Sequence, residues 1–96
     1  MKESESLTNN FLMEVDVLSN RLRNIKQSFK TTENNALKER LLLENITIFN
    51  RVSEIHKIAV LLNKNKNEEI NFSNLLVEIT RRALDEYKFE SNLFFL

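Results

Sequence analysis

Glycine, proline, cysteine and tryptophan are all missing from this chain of 96 residues. Each absence excludes something. Tight turns and left-handed backbone positions normally use glycine, and proline punctuates loops. A chain without either is expected to be mostly long helices joined by a few polar turns. Gly-rich phosphate loops cannot be built from it, which argues against a βα or nucleotide-binding fold. Without cysteine there is no disulfide framework, no thiolate nucleophile and no Cys-based zinc site, which fits a reducing compartment.

Charge of one sign is missing too. Fourteen basic and fourteen acidic residues cancel to a net charge of zero. General nucleic-acid and anionic-membrane binders carry a basic excess, so nucleic acid is an unfavoured partner. No apolar stretch approaches the roughly 18–20 residues that span a bilayer. The opening residues Met1-Lys2-Glu3-Ser4-Glu5-Ser6 are polar, unlike a signal peptide. The expectation is a soluble, intracellular, all-α protein forming one helical domain over 1–96, without a cofactor or metal. The sequons at Asn45-Ile46-Thr47 and Asn71-Phe72-Ser73 read as chance matches in a chain with fourteen asparagines.

What is present is periodic. From about Ser6 to Lys30 the apolar residues Phe11, Val15, Leu18, Leu22, Ile25 and Phe29 alternate in steps of four and three. That spacing is a heptad seam, with Val15, Leu22 and Phe29 at a and Phe11, Leu18 and Ile25 at d. Leu7 extends the stripe backwards. Acidic residues lie early in this helix, while Arg21, Arg23, Lys26 and Lys30 lie late, as the macrodipole favours. Thr31-Thr32-Glu33-Asn34-Asn35 is a break rich in capping residues. So short a connection predicts an antiparallel hairpin.

A second helix is expected from about Asn34 to Asn63. Its seam reads Leu41, Asn45, Ile48, Val52, Ile55, Ala59 and Leu62. Beside it runs a second stripe, Leu42, Ile46, Phe49, His56 and Val60, so the apolar face is wider than one neighbour needs. The polar run 64–69 reads as a turn. Asn71 or Ser73 is expected to cap a third helix from about Asn74 to Lys88. There Phe72, Leu76, Ile79, Ala83 and Tyr87 keep a helical period, widened by Leu75, Val77 and Leu84. The tail, 89–96, carries Phe89, Leu93, Phe94, Phe95 and Leu96. It is expected either to fill a gap in this small core or to dock on a partner.

Residues able to carry chemistry are few. His56 is the single histidine, and no second His or Cys can complete a metal site with it. It reads as a boundary residue, with a lesser role in tuning an interface near about pH 6–7. Asn45 stands at an a position. Such an Asn selects register and partner number, turns aside into solvent, or is tolerated where the bundle is loose. Arg81 and Arg82, interleaved with Glu78, Asp85 and Glu86, read as a solvated, salt-bridged face. The carboxylates show no E-x-x-H or H-E-x-x-H spacing, so nothing supports an enzyme.

The expected architecture is a long, coiled-coil-like antiparallel hairpin, its rods roughly 37 and 45 Å long. A shorter third helix packs across one end, completed by self-association or a partner. The expected function is non-enzymatic: a small scaffold, adaptor or assembly subunit that binds protein or its own copy. Its expected interface residues are Asn45, Phe49, His56, Phe89 and Leu93–Leu96. The alternative is a nucleic-acid-binding regulator using Arg21, Arg23, Lys26 and Lys30. A small enzyme or carrier with an internal cavity would need a buried polar cluster around His56 or Asn45.

Overall fold

Three residues turn the chain between its first two helices. The computed structural model describes residues 2–64 and 72–88, with side chains from 7 to 64 and from 74 to 88. Helix α1 spans Lys2–Thr31, α2 spans Asn35–Lys64 and α3 spans Phe72–Glu86. No strand occurs among the described residues. The turn works without glycine because side chains satisfy its backbone. The N–H of Leu37 donates to Asn34 Oδ1 at 3.0 Å, an N-cap bond, and the N–H of Asn34 donates to Thr32 Oγ1 at 3.1 Å.

The hairpin with a shorter third helix is the architecture expected from the heptads. The termini differ by a few residues: α1 begins at Lys2 rather than near Ser6, and Ser73 lies inside α3 rather than capping it. Asn71 falls outside the described residues. Helices of 30, 30 and 15 residues cannot be matched in length. The result is a rod of 50 × 20 × 15 Å with a radius of gyration of 15.5 Å. A compact chain of this size would measure about 12–13 Å.

The seams bury as their spacing requires. Val15, Leu22 and Ile25 of α1 pack out of solvent, as do Leu41, Val52, Ile55 and Ala59 of α2. Two clusters join all three helices. Val15, Ile55, Ala59 and Leu76 form one, and Leu22, Val52, Ala83 and Tyr87 form the other. Rising numbers on α3 accompany rising numbers on α1 and falling numbers on α2, so α3 runs parallel to α1 and antiparallel to α2. It lies over the end of the hairpin away from the turn.

Two details of the stripes are corrected. Leu7 is exposed, and the buried residue of that turn is Thr8, one heptad before Val15. On α3 Thr80 is fully buried, like Leu76, while Ile79 is half-buried. The Thr80 hydroxyl donates back to the carbonyls of Leu76 and Val77, at 2.8 and 3.0 Å, so its polarity is satisfied within its own helix. A threonine treated this way presents a methyl group to the core.

Candidate functional site: the open flank of the hairpin

An antiparallel pair of heptad helices has two flanks, one edged by e positions and one by g positions. Here they have different fates. Leu12, Lys26 and His56 stand at e positions and all three meet α3. Leu12 packs on the first cluster. Lys26 Nζ sits 5.7 Å from the centre of the Tyr87 ring and makes a long 3.5 Å contact with the Glu86 carbonyl. His56 Nδ1 lies 2.7 Å from Thr80 Oγ1. The e flank is therefore the side that α3 occupies.

The g flank is closed by two ion-pair clamps. Arg51 of α2 grips Glu14 of α1 through two bonds, Nε at 2.6 Å and Nη2 at 3.0 Å, and also reaches Glu54 at 2.9 Å. Arg21 of α1 grips Glu44 of α2 at 2.6 and 2.7 Å. Planar guanidinium against carboxylate makes each clamp bidentate. The hydrogen bonds hold the carboxyls of Glu14 and Glu44 below the ordinary 4.5, outweighing the opposing effect of burial. They raise both arginines in turn.

Glu14 and Arg21 are one heptad apart, and so are Glu44 and Arg51, with the order of signs kept while the helix direction reverses. The residue numbers of the two pairs sum to the same value, as a hairpin with one register requires. The four charges thus mark the corners of a square about 10 Å on a side, from the rise per residue and the usual helix spacing. Signs alternate around it. Val17 and Thr47, both exposed, lie between the clamps. The Thr47 hydroxyl donates to the Leu43 carbonyl at 3.1 Å, so its polarity is met within its own helix.

Exposed apolar side chains also occur on the rest of the hairpin surface: Met13 is 68% exposed, Val17 65%, Leu43 64% and Leu61 60%. Val17 and Leu61 occupy c positions, bordering the g flank, whereas Met13 and Leu43 occupy f positions on the backs of α1 and α2. α3 lies on the other flank and leaves Met13 and Val17 uncovered. The clamps themselves went unread, although acid and base one heptad apart, edging two antiparallel seams, are their signature.

Of the expected interface residues, only Asn45, Phe49 and His56 lie among the described residues. Asn45 is buried, 4% exposed, which removes the reading that turned it into solvent. Its Nδ2 has no hydrogen-bond partner among the described residues. In the register of the clamps Asn45 is level with Asn20, between the seam residues Leu18 and Leu22. Phe49 and His56 are half-buried. Phe89, Leu93, Phe94, Phe95 and Leu96 lie outside the described residues.

The basic cluster is partly occupied inside the fold. Arg21 serves a clamp, Lys26 meets the end of α3, and Arg23 donates to Asn20 Oδ1 at 2.8 Å. Lys30 is exposed. On α3, Glu78 receives both Arg81, at 2.5 Å, and Arg82, at 3.2 Å, the salt-bridged face expected there.

Among the described residues no group of three His, Cys, Asp or Glu side chains could hold a metal ion. No described helix is long and apolar enough to cross a membrane. No protein-family model, curated protein or solved structure matches this chain.

Proposed function

We propose that this protein is a non-enzymatic protein-binding module, a small helical scaffold or assembly subunit, and that it binds through the flank of the hairpin opposite α3. One observation carries the reading. Val17 and Leu61, at the c positions bordering that flank, are 65% and 60% exposed, and Val17 stands between the two clamps. Exposed apolar side chains rimmed by ordered polar groups support an interaction site. Here the rim is built: the clamps fix Arg21, Glu44, Glu14 and Arg51 in one geometry, so less side-chain entropy is lost when a partner lands.

Nucleic-acid binding through Arg21, Arg23, Lys26 and Lys30 draws less support. Two of those cations are committed to internal contacts, and the net charge is zero.

Photo-crosslinking tests the reading. A photoreactive residue placed at Val17 or Leu61 in native cells is expected to yield a discrete protein adduct. Placed at Arg81, on the outer face of α3, it is expected to yield none. Absence of any protein adduct from Val17 and Leu61 would defeat the proposal.

A further inference from the structure

We infer that the partner on this flank is a second copy of the same chain, packed face to face about a two-fold axis between the two clamps. The inference rests on the protein-binding reading above and adds the identity of the partner.

Charge complementarity points to it. The Arg21–Glu44 clamp is neutral and Arg51 is shared by Glu14 and Glu54, while the square itself has alternating corners: Glu14 and Arg21 along α1, Arg51 and Glu44 along α2. Consider a two-fold axis lying in the contact plane, at right angles to the rods and level with Val17. It sets α1 on the partner's α1 in opposite direction. Glu14 then faces the partner's Arg21, and Glu44 faces the partner's Arg51. Every corner meets its opposite sign, and no like charges are opposed. An arbitrary foreign surface has no reason to match this pattern, whereas the flank matches itself.

Apolar contact falls on the axis. Val17 meets the partner's Val17 and Thr47 the partner's Thr47, each between pairs of charges. The clamp side chains stay about 36–49% exposed while bonded internally, so their outer edges remain available. Area is sufficient as well. The flank of a rod 50 Å long and 20 Å wide offers on the order of 800 Å² per copy, the size of a standard specific interface. Zero net charge removes any overall repulsion between copies.

The decisive experiment exchanges charges without breaking the clamps. Arg21→Glu with Glu44→Arg keeps a clamp at that level but makes both α1 corners negative and both α2 corners positive. About the proposed axis like charges then face each other. Adding Glu14→Arg and Arg51→Glu restores the alternation with every sign inverted. By light scattering, the natural chain is expected at twice 11.4 kDa. The double exchange is expected to weaken association more than about tenfold, and the fourfold exchange to recover it, with helical content unchanged in all three. Val17→Glu should also give monomers.

A natural chain that stays monomeric up to millimolar concentration would overturn the inference. So would a double exchange that dimerises as tightly as the natural chain, or a folded fourfold exchange that stays monomeric. If the natural chain is monomeric but Val17 crosslinks to a different protein, the second copy is excluded and the binding function stands. If neither happens, both fall.

Discussion

His56 Nδ1 and Thr80 Oγ1 lie 2.7 Å apart, joining α2 to α3, and the threonine sets the direction of that bond. Its one hydroxyl hydrogen is directed to the carbonyls of Leu76 and Val77. The oxygen can then only accept, so His56 donates from Nδ1–H. The neutral ring is therefore expected as the Nδ1–H tautomer, the less common one in solution. Nitrogen chemical shifts of the imidazole report this directly. In Thr80→Val the preference should vanish and stability should fall by about 1 kcal/mol. An Nε2–H tautomer in the natural chain would contradict the assignment.

Asn45 gives the opposite kind of prediction, a substitution that stabilises. Its Nδ2 is buried without an acceptor among the described residues, and it stands in a seam that is otherwise apolar from Leu41 to Leu62. An unpaired amide in such a place costs about 1–3 kcal/mol. Asn45→Leu, branched at the same carbon though larger, is expected to raise the urea midpoint. A lower midpoint would mean that the amide is satisfied in solution.

Acid should loosen the fold through its clamped carboxylates. Glu14, Glu44 and Glu78 are held below 4.5 chiefly by hydrogen bonds from Arg51, Arg21 and Arg81. A carboxyl whose value is lower folded than unfolded takes up protons more readily when the chain unfolds. Its contribution is complete above 4.5 and fades as pH falls through the depressed values. The melting temperature should be flat with respect to these groups above about pH 5 and decline below it. In Glu14→Gln/Glu44→Gln the neutral-pH stability should be lower and the acid decline shallower. An unchanged acid limb would show that the clamps do not form in solution.

Leu76 anchors α3 in the cluster of Val15, Ile55 and Ala59, fully out of solvent. Truncating a buried leucine to alanine typically costs 2–5 kcal/mol, a large share of what a domain this small possesses. Leu76→Ala is expected to release α3, with loss of amide-exchange protection from 76 to 87 before the turn end of the hairpin. Uniform loss along the whole chain would show instead that the helices unfold as one unit.

Most of this fold is legible as spacing. Steps of four and three identify Phe11 through Ile25 and Leu41 through Leu62 as seams, and the short capped break between them dictates an antiparallel hairpin. Thr8 and Thr80 were missed because a hydroxyl reads as polar, whereas for Thr80 a bond to the preceding turn cancels that polarity. Strict heptad counting, back from Val15 and between Leu76 and Ala83, locates both. Partners of long charged side chains are harder to read. Arg21 can serve the macrodipole, a ligand or a facing glutamate, and only the register between α1 and α2 chooses Glu44. The place of Val17 between the clamps is not legible along one helix, since it depends on four charges drawn from two.

Because α1 begins and α2 ends at the same extremity of the rod, a pull applied between Lys2 and Lys64 would load the layers one after another, as a zipper opens. Such a geometry yields at low force unless something is strapped across the opening. The strap here is α3, which ties Val15 and Leu22 of one arm to Ile55 and Val52 of the other. Mechanical resistance is therefore concentrated in fifteen residues, and the remaining length toward the turn is free to part once they let go.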